Sequence, residues 1–166
     1  MKNVGHVIVL NGTSSSGKTT LAREIQSTSD DVYLYCALDA FWDMTPFHIP
    51  AGSKNFPTMK LAMAKSVKAL AETGHNVVVD IVFCGQKTYQ EFITVLEGIH
   101  MTLVKVECPL AELEARELAR GDRAIGLAKR QLDPVHQDVL YDITVNTFEN
   151  STELCIELIM SAVLNK

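Results

Sequence analysis

Short, almost wholly apolar runs alternate along this chain with stretches in which apolar residues recur every three or four positions. The runs at 6–10, 32–38, 76–82, 101–106 and 141–145 are rich in Val, Ile, Leu and Tyr, and their length and composition predict five strands. The period near 3.6 predicts helices over 18–27, 59–72, 87–97, 110–120 and 151–164, several of them stopping at or just before a glycine. Residues 41–58 carry Pro46, Pro50, Gly52 and Pro57 and read as irregular.

Strands without polar alternation are buried on both faces. With helices between them they predict an α/β fold: a five-stranded parallel sheet covered on both sides, in three layers α/β/α. In such sheets ligands bind beyond the carboxyl ends of the strands, so the residues just after each strand carry the interest.

The first of these is decisive. Residues 12–19 read GTSSSGKT and follow the first strand directly, opening a helix. This is the pattern GxxxxGK[ST] in its required strand–loop–helix context. Gly12 permits the sharp turn and Gly17 a close backbone approach to phosphate. Ser15, Ser16 and Thr20 flank the groups that would hold a triphosphate, Lys18 reaches its outer phosphates, and the Thr19 hydroxyl can ligate Mg²⁺. A serine-rich turn that merely caps a helix is the bland alternative, and the register of strand, loop and helix disfavours it. The expected ligands are ATP and Mg²⁺.

Two acids follow later strands. Asp80 ends the third strand and is a candidate to support Mg²⁺, or else to cap the next turn. Asp39 follows the second strand, where it could accept a proton from an acceptor hydroxyl or serve as the N-cap of a short helix. Between 114 and 130 stand Arg116, Arg120, Arg123, Lys129 and Arg130. Arg116 and Arg120 share one helix face, and Arg123 follows Gly121. That suits a short lid over about 120–135 bringing positive charge to the transferring group, against a solvated helix held by pairs such as Glu112–Arg116.

Composition narrows the partners. A chain of 166 residues with 47% apolar and 21% charged residues suits one globular domain over 1–166. A net charge of −5 lacks the field of a general nucleic-acid binder. Cys36, Cys84, Cys108 and Cys155 form no CxxC pair and no zinc spacing, which points to reduced thiols and a cytoplasmic protein. The early apolar run breaks at Asn11-Gly12, too soon for a signal peptide, and no run is long enough to span a membrane. The sequence does not indicate an oligomeric state.

The stretches VIVLNGTSSSGKTTLA, ALDAF, NVVVDIVFCG, ARELARGDRAIGLAKRQ and VHQDVLYDITVNT extend from residue 7 to residue 147. In them the chain resembles the chloramphenicol phosphotransferase family of P-loop kinases, whose fold is similar to those of shikimate kinase and adenylate kinase. The resemblance implies transfer of the γ-phosphate of ATP to a hydroxyl of a small molecule, which an antibiotic could supply. It implies that Asp39 is the catalytic base and that Arg120 and Arg123 belong to a lid facing the nucleotide. Two features depart from the family. Asp80 is followed by Ile81 where the antibiotic kinase has paired acids, and the segment between Asp39 and Met59 is shorter.

Residues of about 40–58 should therefore form the acceptor pocket, where Phe41, Trp42, Met44, Phe47 and Phe56 suit an apolar or aromatic acceptor or else hold the segment down as a small cluster. A nucleotide or metabolite kinase of the same fold would need more cations than Lys54, which stands alone there. A non-catalytic ATP-binding switch is the other alternative; the Asn-Lys-x-Asp of GTP switches is absent.

Overall fold

The computed structural model describes residues 4–49, 56–121 and 125–166. Five strands, β1 (Val7–Asn11), β2 (Tyr33–Ala37), β3 (Asn76–Ile81), β4 (Met101–Glu107) and β5 (Ile143–Asn146), form one sheet in the order β2-β3-β1-β4-β5. Every pairing is parallel. Helices α1 (Lys18–Thr28), α3 (Phe56–Glu72), α4 (Gln86–Val95), α5 (Leu110–Arg120) and α7 (Thr152–Leu164) match the expected periodic segments to within a few residues.

The uninterrupted apolar character of the strands has the expected cause. Successive side chains of a strand face opposite ways, and both faces are covered. On one side Val7, Val9, Val77 and Val79 pack with Met63, Val67 and Phe92 from α3 and α4. On the other, Ile8, Leu10, Val78 and Val104 pack with Leu21, Ile25, Cys155 and Ile159 from α1 and α7. These two cores make the three layers.

Two helices lie outside the segments whose periodicity predicts helix. The short α2 (Leu38–Trp42) follows β2 at once and carries Asp39 in its first turn. Its N-cap is Ala37, with no side-chain cap, so Asp39 does not serve as the cap. The second is α6 (Leu127–His136), within the expected lid. Its apolar Ala128, Leu132 and Val135 recur at helical spacing, although Gly126 before it and Pro134 inside it read as breakers. A long-range contact fixes its start. Glu117 of α5, 0% exposed, accepts from Gly126 N at 3.0 Å and from Ala128 N at 2.6 Å, capping α6 from a neighbouring helix. Leu113, Cys108 and Ala128 form a small third core beneath this contact.

The root of the P-loop is fixed by Asn11, the last residue of the central strand. Its Nδ2 donates to Val135 O at 2.9 Å and to the Tyr141 hydroxyl at 2.5 Å, and its Oδ1 accepts from Phe83 N at 2.9 Å. His136 Nδ1 lies 2.7 Å from the same Tyr141 hydroxyl. One buried amide thus joins β1, the segment after β3, α6 and the segment leading into β5. Burial, aided by the positive charge of Lys105, pulls the His136 imidazole down to about 4.

Two outcomes are expected. Glu117→Ala leaves two backbone N–H groups without their acceptor and should cost about 2–4 kcal/mol in urea unfolding, with early loss of exchange protection in α6. An unchanged midpoint would refute the capping role. For His136, the folded value lies below the ordinary 6.5, so the unfolded chain takes up its proton first. Its contribution to stability is intact above about pH 6.5 and drains as pH falls toward 4. Urea midpoints measured from pH 7 to pH 4.5 should fall less steeply in His136→Gln; an equal slope would exclude His136 as a source. His6, also lowered by burial, contributes in the same direction and remains in both proteins.

Candidate active site

The loop between β1 and α1 adopts a conformation its residues are chosen for. A Cβ on Gly12 would stand 2.4 Å from Val106 O, so no side chain fits there. Gly17 has φ 97° and immediately precedes α1. Ser15 has φ 63°, a left-handed conformation uncommon for a residue with a side chain. Outside contacts hold this geometry. Thr147, just after β5, donates its hydroxyl to Ser16 O at 2.7 Å. Arg116 of α5 donates to Ser15 O at 3.4 Å and to the Thr147 hydroxyl and carbonyl at 3.1 and 3.3 Å. On the other flank Gln131 of α6 accepts from Ser14 N at 2.7 Å.

Arg116 is therefore a bracket on the loop. It also pairs with Glu112 at 2.8 Å, as the solvated-helix alternative anticipated, but its guanidinium goes on to grip the loop backbone. Gln131 and Thr147 were not expected as parts of the site, and Arg116 was expected only as a charge beside the lid. All three fall within the stretches ARELARGDRAIGLAKRQ and VHQDVLYDITVNT that carry the family resemblance.

Within the loop, Lys18 is 6% exposed and its ammonium donates to Thr13 O at 2.7 Å, with Ser16 Oγ at 3.5 Å. Ser15 Oγ is buried and finds no hydrogen-bond partner among the described residues. A phosphate oxygen would supply that partner, so the cradle fits an anion on an observation independent of its motif.

Asp80 lies beside it for a topological reason. Parallel pairing of β3 with β1 sets Asp80 level with Leu10, one residue short of the loop's root. Its Oδ2 accepts from the Thr19 hydroxyl at 2.6 Å and from the Tyr35 phenol at 3.2 Å, while Oδ1 lies 3.9 Å from Lys18 Nζ. The alternative of a turn cap fails here, because the carboxylate is engaged across the sheet. Burial, and then the Asp80 carboxylate, push the Tyr35 phenol up to about 12, so it stays a donor. Among the described residues no cluster of three or more His, Cys, Asp or Glu could cage a metal. A hydroxyl and a carboxylate side by side are hard oxygen donors of the kind Mg²⁺ uses when substrate phosphates and water complete its shell.

Asp39 stands one strand further out. Ala37 pairs with Asp80, so Asp39 leaves the sheet at the same carboxyl edge, two residues beyond that level, and it is exposed. Ile81, at the position of the family's second acid, is 1% exposed and packs in the core. Arg120 ends α5 and lines a cavity of about 450 Å³ beside the loop, with Thr19, Thr20, Arg116, Asn150 and Thr152. Arg123 and residues 50–55 of the acceptor segment lie outside the described residues. No helix among the described residues is long and apolar enough to cross a membrane.

A family model described as chloramphenicol phosphotransferase-like protein matches residues 5–164. A candidate O-phosphotransferase of Mycobacterium tuberculosis is 28% identical over 173 residues, covering 86% of this chain and 75% of that protein. Among solved structures, the APS kinase of M. tuberculosis in complex with AMPPNP and APS superposes with a TM-score of 0.77 at 17% identity, over 98% of this chain and 99% of that one. A gluconokinase from Sinorhizobium meliloti superposes with a TM-score of 0.66 at 14% identity, over 99% and 94%. The match over nearly the whole length, on a sheet of this order with a loop of this kind, leaves one conclusion: the chain belongs to the chloramphenicol phosphotransferase-like family, as a P-loop kinase that transfers a phosphoryl group to a hydroxyl acceptor.

Proposed function

We propose that the donor is ATP with Mg²⁺ and that the acceptor is a small hydroxylated molecule with apolar surface, bound by about residues 40–58, with one domain carrying both half-sites. The observation that carries this reading is the convergence of Lys18, Thr19 and Asp80 at one point in a loop whose buried Ser15 hydroxyl has no partner among the described residues.

Gly12, Ser15, Ser16 and Gly17 line the phosphate cradle, with Lys18 supplying its positive charge. Thr19 and Asp80 would hold Mg²⁺, which when bound supplies charge neutralisation on the transferring phosphate. Thr20 and Arg120 border the cavity that suits the rest of the nucleotide. Asp39 orients the acceptor hydroxyl and takes its proton, and Arg123 joins Arg120 in clamping the phosphates. Phosphoryl transfer has a loose transition state, so most of the rate comes from such positioning and electrostatics.

The apolar character of the acceptor rests on the start of its segment. Phe41 packs against the core and holds the segment down. Met44 and Phe47 are 72% and 101% exposed, apolar side chains that follow the candidate base by a few positions in the chain. An antibiotic bearing a free hydroxyl is one acceptor of this kind. The free thiols and the need for ATP suit a cytoplasmic setting.

Asp39→Asn should lower acceptor-dependent turnover by about a hundredfold or more, while ATP affinity moves less than about threefold. Turnover that survived the change would remove Asp39 from the role of base. Arg123→Ala should likewise lower kcat by about a hundredfold, with little change in ATP affinity, because the clamp acts on charge that develops in the transition state. Equal losses in kcat and affinity would assign Arg123 to ground-state binding.

A further inference from the structure

Tyr35 stands on β2, outside the phosphate loop, and the reading above gives it no task. Its contacts are specific. The phenol donates to Asp80 Oδ2 at 3.2 Å, the oxygen that also accepts from Thr19 at 2.6 Å. The Arg23 guanidinium of α1 lies 4.0 Å from the centroid of its ring, and the ring packs against the core beneath α1 and α7. The residue paired with Asp80 on β2 is Ala37, too short to reach a neighbour's carboxylate. Tyr35, two positions earlier and so on the same face of the strand, is long enough.

From this arrangement we infer that Tyr35 is a positioning residue for the metal: it fixes the Asp80 carboxylate in the orientation in which that group, with Thr19, supports Mg²⁺. The inference rests on the assignment of Asp80 to the metal. Two hydroxyls on Oδ2 occupy that oxygen and pin the rotation of the carboxylate, leaving Oδ1 on the side of Lys18. A carboxylate held in this way need not be ordered when the ion binds. One anchored only through Thr19 would lose part of its hold whenever the Thr19 hydroxyl turned toward a metal. Arg23 and the core hold the ring, and the ring holds the hydroxyl.

The test compares Tyr35→Phe, which keeps the ring, its packing and the Arg23 contact, with the unaltered protein. Mn²⁺ affinity is measured by electron paramagnetic resonance on the complex with a non-hydrolysable ATP analogue, and analogue affinity is measured separately without metal. The expected result is Mn²⁺ binding weakened by about three- to tenfold, the weight of one hydrogen bond. Metal-free analogue affinity and the thermal midpoint should be unchanged. The Mg²⁺ concentration for half-maximal activity should rise by the same factor, with kcat at saturating Mg²⁺ preserved. In an Asp80→Asn background, Tyr35→Phe should add nothing. Unaltered Mn²⁺ affinity in Tyr35→Phe, or an equal further loss on top of Asp80→Asn, would overturn the role of Tyr35 and leave Asp80 in place. Unaltered Mn²⁺ affinity in Asp80→Asn would overturn both assignments.

Discussion

The hydrogen bonds that fasten the backbone of the phosphate loop from outside carry the rest of the site, two of them on its carbonyls. Thr147 holds the carbonyl of Ser16 and Arg116 that of Ser15. A loop built to receive phosphates is one its own chemistry does not favour: Ser15 sits in a left-handed conformation that costs roughly 1–3 kcal/mol and persists only where its surroundings enforce it. Those surroundings are the ends of β5 and α5, elements that follow the loop by a hundred residues or more in the chain. Once the carbonyls are held, Lys18, Thr19 and the start of α1 follow, and Asp80 can be met at a fixed distance. Preorganisation of this kind is the form in which a phosphoryl-transfer enzyme stores most of its catalytic effect.

The sheet decides which residues can cooperate. Because β1 lies between β3 and β4, and β3 between β1 and β2, the carboxyl ends of β2, β3 and β1 stand side by side. Asp39, Asp80 and the loop come from segments far apart in sequence, yet they leave neighbouring strands at the same edge. The register sharpens this, with Ala37, Asp80 and Leu10 lying on one line across the sheet. The two faces then divide the work. The face over α1 and α7 borders the cavity that suits a nucleotide, while Asn11, Tyr141 and His136 tie the opposite face to α6.

Much of this was legible in the sequence, for physical reasons that differ by element. The strands announced themselves because burial on both faces favours unbroken apolar runs, as in Val77–Val79 at the centre of β3. The loop was legible because its glycines and its Lys-Thr pair are dictated by local geometry. Asp80 and Asp39 could be picked out because a charge at the end of an apolar run is conspicuous, although their mutual placement needed the strand order. Helix α6 was not legible. Its apolar Ala128, Leu132 and Val135 stand at helical spacing, but Gly126 and Pro134 read locally as breakers and its cap is a buried glutamate from another helix. Arg116 was visible as one of several arginines, but that it brackets the loop depends on Thr147, which sequence spacing does not bring near.

The same distinction explains why the acceptor half of the site is harder to read than the donor half. Every kinase of this fold must present the same triphosphate to the same backbone, so the constraint falls on a few residues in sequence. The acceptor differs from one kinase to the next, so the proposed acceptor segment carries no shared pattern of residues by which a sequence could mark it. The start of that segment shows a contrast: Phe41 packs against the core, whereas the side chains of Met44 and Phe47 stand in solvent. Exposed apolar surface of this extent costs solvation free energy of about 25 cal/mol for each Å² kept in water. These side chains follow the candidate base at Asp39 by a few positions, and burial of their surface by an acceptor would recover that cost as binding free energy.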